Sequence, residues 1–167
     1  MLRHVWEEDL PAHEEVVAAM ENALRVLSDL GAKLETARMR PLQEYYDVKN
    51  TIALPELVAI HQADLIDRPG NFCADFLGRG GFAGALFSAV DYVQAQRARM
   101  QMLAEAQALY KGHDVLVCPA NPGPAMRFED YRTLGMWQRP NMTTPFNVTG
   151  DPALTVCSGF SKQGLPL

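Results

Sequence analysis

The sequence predicts an α/β protein in which helices pack on an incomplete mixed β-sheet, with residues 1–167 forming one unit. Three observations carry that reading. Apolar residues recur at helical spacing through residues 16–30, 45–60 and 93–104. Three short apolar runs, Lys33–Met39, Asp114–Cys118 and Ala153–Cys157, have the length and composition of strands. Finally, about three strands stand against four or more helices, too few for a self-sufficient sheet of ordinary size. Unpaired edges and uncovered apolar helix faces are expected to follow.

In chain order, Val5–Trp6 reads as the end of a strand. Pro11 suits a first helical turn. Val16, Val17, Met20, Leu24, Leu27 and Leu30 then keep helical spacing until Gly31 supplies a left-handed stop. Lys33–Met39 completes a helix-then-strand unit, and Pro41 ends it. Leu42 to Ile66 is helical again, with Tyr45, Val48, Ile52, Leu57 and Ile60 roughly on one face. Pro55 inside it predicts a kink or two helices. Arg68–Asn71 is a loop, Phe72–Leu77 a short helix, and Gly78–Gly84 a flexible connection. Ser88 is placed to cap a long helix reaching Tyr110. Its inward stripe is expected to be Val93, Met100, Leu103 and Ala104, with Gln94, Arg97, Arg99, Gln101 and Glu105 outside it. Asp114–Cys118 has the continuous apolar pattern of a strand covered on both faces. Pro119–Pro140 is a long irregular segment with four prolines, of a kind that is usually functional or mobile. Thr143–Phe160 joins a turn-forming run, punctuated by Pro145 and Gly150–Asp151–Pro152, to the buried strand Ala153–Cys157.

Composition narrows the function. At 48% hydrophobic and 21% charged the chain is an ordinary globular sequence rather than a disordered one. A net charge of −5 without a basic patch disfavours nucleic acid as a partner. No apolar run approaches the roughly 20 residues of a membrane span, so no membrane partner is expected. Acids arrive too early for a signal peptide. Three widely spaced cysteines, Cys73, Cys118 and Cys157, argue against a disulfide framework and for a reducing, cytoplasmic setting.

The residues that could carry chemistry are scattered. Four serines occur, Ser28, Ser88, Ser158 and Ser161, and none sits in a Gly-x-Ser-x-Gly elbow. His4, His13, His61 and His113 form no metal-binding pair, and no metal or cofactor is implied. Gly78-Arg79-Gly80-Gly81 lacks the Gly-Lys-Ser/Thr of a phosphate loop. Arg79 among these glycines is nevertheless a guanidinium able to reach an anionic or carbonyl-bearing ligand. Asn147 reads as a polar residue in a buried stretch, needing and giving hydrogen bonds.

Several motifs, in order, resemble the amidase signature hydrolases. They are the Leu30-Gly31-Ala32 helix end, Glu56 a few positions before His61, the Tyr92-x-x-Ala95 helix with a downstream arginine, and Asp114 to Pro119. Asn121-Pro122-Gly123-Pro124-Ala125 is similar to a Thr-x-Pro-x-x-Ala loop, with Asn121 where threonine is usual. Phe146-Asn147 followed by Gly150-Asp151-Pro152-Ala153 completes the series.

The resemblance implies a partial amidase-signature fold, with residues 1–167 forming the C-terminal part of one domain. That family works through a Ser–cis-Ser–Lys triad in a Gly/Ser-rich signature and an earlier lysine, both N-terminal to what this chain resembles. No catalytic residue carries over: Lys33, Lys49, Lys111 and Lys162 match no catalytic position. A supporting role does carry over, with Arg79, Asn121, Thr144 and Asn147 as substrate-channel candidates. In the family's tRNA-dependent amidotransferases, an arginine near Arg79 and an acid near Pro140 help hold glutamine; Arg79 matches and Pro140 does not, which favours a broader amidase. Phe128, Tyr131, Met136 and Trp137 of the long loop would present an apolar lip to a bulky amide. The expected function is therefore a fragment of an amidase that cleaves a carboxylic amide C–N bond in the complete enzyme and is inactive alone. Its partner there is a small-molecule amide, and the isolated chain is expected to self-associate through an exposed sheet edge. The alternative is a non-catalytic binding or assembly partner.

Overall fold

Helices carry the architecture. The computed structural model describes residues 1–130 and 140–167, the side chain of Arg79 excepted. Among the described residues the α-helices are α1 Glu14–Asp29, α2 Leu42–Asp67, α3 Ala74–Phe76, α4 Ala89–Tyr110 and α5 Thr144–Thr149. A π-turn at Val5–Asp9 precedes α1, a second at Leu77–Gly81 continues α3, and a 3-10 turn at Ala83–Leu86 leads to α4.

The expected helices on a mixed sheet are not found: among the described residues there is no β-strand. The three predicted strands have no regular structure and build no sheet, because a ladder needs a second extended segment alongside for several residues. Met1–Leu2 begins one. The Met1 amino group donates to the Glu35 carbonyl at 2.6 Å, the Ala37 N–H donates to the Met1 carbonyl at 3.0 Å, and the Leu2 N–H donates to the Val117 carbonyl at 3.0 Å. Two residues later the chain coils into the Val5–Asp9 turn, so Val5–Trp6 ends no strand and the pairing stops. Ala153–Cys157 is exposed throughout rather than buried, with Leu154 at 86%. One isolated antiparallel bridge, Phe160 to Pro166, closes the C-terminal loop. Without a sheet there is no sheet edge for self-association; the exposed apolar surface lies on helices and on segments without regular structure instead.

The helices start where their side chains can satisfy free N–H groups. α1 begins at Glu14, later than the Pro11 reading, because His13 Nδ1 accepts from the Glu15 N–H at 3.3 Å. Glu14 and Glu15 in its first turn complement the helix dipole. Gly31, at φ 98°, turns the chain out of α1 as expected. α2 is capped from a distance: the Asp9 carboxylate accepts from the Leu42 N–H at 3.0 Å. It runs unbroken through Pro55, so of the two expectations the division into two helices is not found. α4 opens on a complete capping box, in which Ser88 accepts from the Asp91 N–H at 3.1 Å and Asp91 from the Ser88 N–H at 2.9 Å.

The run Gly78–Gly84, read from sequence as a connection, forms helical turns. It lies so close to α2 that a Cβ at Gly80 would strike Leu57, and one at Gly84 would strike the Leu54 carbonyl and Val58. Glycine at 80 and 84 allows that close packing.

Two buried clusters form the core. Leu2, Val5, Trp6, Ala37, Leu42 and Met142 make the first. Tyr45, Met102 and Val148 make the second, where α2, α4 and α5 meet. The inward residues of α4 are Ala95, Met102 and Ala106, not the predicted stripe: Val93 is 47% and Met100 61% exposed.

Candidate functional site

Asn141–Asp151 brings together most of what the sequence singled out near the end of the chain. Asn141 Oδ1 accepts from the Thr143 N–H at 2.8 Å and from its hydroxyl at 2.6 Å, an Asx turn that starts α5. Pro145 sits in the first turn, where its missing N–H costs nothing. Gly150, at φ 77°, ends the helix, and its N–H donates to the Phe146 carbonyl at 2.8 Å. The reading of Thr143–Thr149 as a turn-forming run thus becomes a short helix. α5 buries Thr144, Pro145, Val148 and Thr149. Those positions recur as neighbours and fourth neighbours, so they share one face and leave Asn147 outward. Asn147 is exposed, contrary to its reading as a buried polar residue.

α5 is braced by polar groups from α4 and from its own end. Arg99 Nε donates to the Val148 carbonyl at 2.7 Å, satisfying one of the free carbonyls of the last turn. The Thr149 hydroxyl lies 2.6 Å from Asp151 Oδ2 and 3.0 Å from the Pro145 carbonyl. A second polar chain links α2 and α4: Tyr92 donates to Glu56 at 2.7 Å, and Gln96 donates to the Tyr92 oxygen at 3.0 Å. Arg40 grips Glu105 through two bonds of 2.7 and 2.5 Å, which holds the Glu105 carboxyl below its ordinary range. Burial pushes the Tyr45 phenol up to about 12, so it stays neutral in the core at physiological pH.

The four predicted channel residues sit on different supports. Arg79 belongs to the Leu77–Gly81 turn, which packs on the C-terminal half of α2. Thr144 and Asn147 belong to α5, near Tyr45 and Val48 in the N-terminal half of α2. From Val48 to Leu57 the helix rises roughly 14 Å. Asn121 is exposed in a loop whose Pro122 carbonyl accepts from the His13 N–H at 2.7 Å, at the start of α1. Thr144 is 3% exposed. Two shallow hollows lie elsewhere. One, of about 340 Å³, runs along Ala89, Val90, Val93, Gln94 and Arg97; the other, of about 390 Å³, lies between α1 and the C-terminal loop. Phe128 is fully exposed, while Tyr131, Met136 and Trp137 lie outside the described residues.

No described serine is hydrogen-bonded to a histidine or a lysine; the Ser88 hydroxyl donates to the Asp91 carboxylate at 2.7 Å inside the α4 capping box. Ser88 is a cap, Ser161 accepts from the Gln163 and Leu165 N–H groups, and Ser158 bonds the Leu167 carbonyl. His61 stands edge-on to Phe72 and Phe76 at 5.7 and 5.4 Å. His113 Nδ1 is 2.8 Å from the Leu109 carbonyl. The Cys118 thiol is pushed up to about 11 by burial, which makes it a poor nucleophile. Among the described residues no cluster of His, Cys, Asp or Glu could hold a metal ion, and no helix is long and apolar enough to cross a membrane.

Arg99 is the residue that the sequence reading placed wrongly. The signal was present, since Ala95, Arg99, Met102 and Ala106 follow one another at steps of four, three and four.

A chain with a braced helical scaffold and no serine paired with a histidine or lysine among its described residues is matched, over residues 5–167, by the family model described as Amidase. It therefore belongs to the amidase family. It is 35% identical over 159 residues to an amidase of Pseudomonas putida, covering 90% of this chain and 34% of that protein. It is 28% identical over 179 residues to a glutamyl-tRNA(Gln) amidotransferase subunit of Picosynechococcus sp., covering 92% of this chain and 37% of that protein. The corresponding protein of Nostoc punctiforme matches at 36% over 78 residues, covering 46% of this chain and 16% of that protein. The chain spans about a third of the length of the first two relatives.

Proposed function

We propose that this chain is the C-terminal portion of an amidase domain whose complete form hydrolyses a carboxylic amide C–N bond. The chain supplies the scaffold and part of the substrate channel. The remainder supplies the Ser–cis-Ser–Lys machinery, in which a lysine relays a proton through the bridging serine to activate the nucleophile. Backbone amides of that machinery hold the tetrahedral oxyanion. The observation that carries this reading is the family match across residues 5–167, together with coverage of 34% of the Pseudomonas putida amidase.

In the completed domain Arg79, Asn121, Thr144 and Asn147 wall the channel. Asn121 and Asn147 are both exposed, which leaves their side chains open to a ligand. Thr144, buried in the first turn of α5, backs that wall from inside. Pro140 offers no carboxylate to hold a free glutamine amine, so the substrate class is a broader amide.

The test is reconstitution. The chain is co-expressed with the residues of the Pseudomonas putida amidase outside the match, and hydrolysis of simple aliphatic and aromatic amides is assayed. Hydrolysis by the pair, with none from either piece alone, is the expected result. Hydrolysis by the isolated 167-residue chain that a serine reagent abolishes would overturn the proposal.

A further inference from the structure

α4 carries two seams, and only one of them is used. The first is Ala95, Arg99, Met102 and Ala106, which faces α2 and α5. The second is Val93, Arg97, Met100 and Ala104, the same pattern two residues earlier. A shift of two residues turns a helix by about 200°, so the seams lie on opposite sides. Val90 extends the second seam by a further step of three. This alternation of three and four is the spacing by which one helix packs along another.

The buried seam shows what such a surface needs. Its small and flexible residues take up a neighbouring helix, and its arginine finds an acceptor in the Val148 carbonyl at 2.7 Å. The outer seam has the same composition and neither complement. Val90 is 68%, Val93 47% and Met100 61% exposed. Arg97 is exposed and makes no ion pair among the described residues. The open hollow of about 340 Å³ runs beside Val90, Val93 and Arg97.

Charge argues against a second copy as the occupant. The acids of α4 are Asp91 and Glu105; Asp91 is held by Ser88 and Glu105 by Arg40. Two copies packed seam to seam would set Arg97 against Arg97 or against Met100. A seam-to-seam pair of copies therefore offers Arg97 no acid, which favours a different polypeptide as the occupant. We infer that the outer seam of α4 seats an apolar helix carrying an oxygen acceptor opposite Arg97, and that this helix belongs to the two thirds of the amidase domain that this chain does not span. The inference rests on the proposed function and deepens it by naming where the two pieces join.

The experiment uses the full chain co-expressed with the residues of the Pseudomonas putida amidase outside the match. Benzoylphenylalanine replaces Val93 in one version and Leu30, an exposed apolar residue at the end of α1, in another. Photo-crosslinking from position 93 into a helical segment of the partner, and none from position 30, is the expected result. Val93→Asp should weaken the complex by at least about tenfold, because its carboxylate would be buried in an apolar contact and, one turn from Arg97, would draw that guanidinium away from its acceptor. Arg97→Glu should weaken it similarly, and Arg97→Lys should retain most of the binding. Circular dichroism of each variant alone should be unchanged, since both side chains are exposed in the free chain. A complex that forms, and hydrolyses amides, without a crosslink from position 93 and with no response to Val93→Asp overturns this inference and leaves the proposed function standing. A crosslink from position 93 to a second copy of the chain overturns it as well. Failure of any complex to form overturns both.

Discussion

His4 is buried at 3% exposure, and among the described residues neither its ring nitrogens nor the indole N–H of Trp6 has a hydrogen-bond partner. Burial pushes the imidazole below its ordinary value, although Asp9 pulls it the other way. The sign follows directly. The unfolded chain takes up a proton near pH 6.5 and the folded chain does not, so the unfolded state is favoured as pH falls below that value. Urea midpoints at about pH 7.5 and 5.5 should show a loss of stability toward acid, at most about 1.4 kcal/mol per pH unit from this group. His4→Gln should flatten that dependence; an unchanged slope would mean that another group carries it. At the same scale, Gly84→Ala should cost about 1–3 kcal/mol, because the added methyl meets the Leu54 carbonyl rather than a side chain that can swing away.

The same reasoning at the scale of elements centres on α4, whose two sides should respond differently. Met102→Ala empties space between Tyr45 and Val148 and should destabilise the chain by about 2–4 kcal/mol. Met100→Ala, two residues away on the outer seam, should change stability by less than about 0.5 kcal/mol in the isolated chain. Equal costs at the two positions would mean that the outer seam is already covered. Removing the capping box with Ser88→Ala should cost about 1 kcal/mol, measurable as a lower denaturation midpoint. The cap was legible because a serine three residues before an aspartate, ahead of an apolar run, has few other structural uses. The inward face of α4 was not, because both faces carry the same residue types at the same spacing. Periodicity reports that a helix has an apolar side; it cannot report which of two apolar sides meets a neighbour first.

For the molecule as a whole, exposed apolar surface is the dominant feature. Leu86, Val90, Leu154, Val156 and Phe160 are each more than two-thirds exposed. Exposed apolar residues mark an interaction site where they join in a patch, whereas scattered ones are ordinary. The isolated chain should bind a hydrophobic dye, and reconstitution with the remaining amidase residues should remove most of that binding while raising the melting temperature. Dye binding that persists in an active complex would show that these residues serve some other partner. Sequence anticipated uncovered apolar helix faces together with unpaired sheet edges, and no strand among the described residues supplies such an edge. In the structure the uncovered surface lies on helix faces and on segments without regular structure.

The sequence by itself determined the family, the three long helices, the Ser88 cap of α4 and the Gly31 stop of α1, because helical spacing, a cap and a stop each depend on residues within a few positions of one another. The three segments Lys33–Met39, Asp114–Cys118 and Ala153–Cys157 have strand-like composition and no regular secondary structure. Whether such segments form a sheet is not a local property, since each strand needs a neighbour to accept and donate its backbone hydrogen bonds. Only the tertiary structure decided that Met1–Leu2 pairs with Glu35, Ala37 and Val117 for two residues and no further. It also decided that Arg99 rather than Arg97 faces inward, because the Val148 carbonyl that receives it lies 49 residues away in the chain.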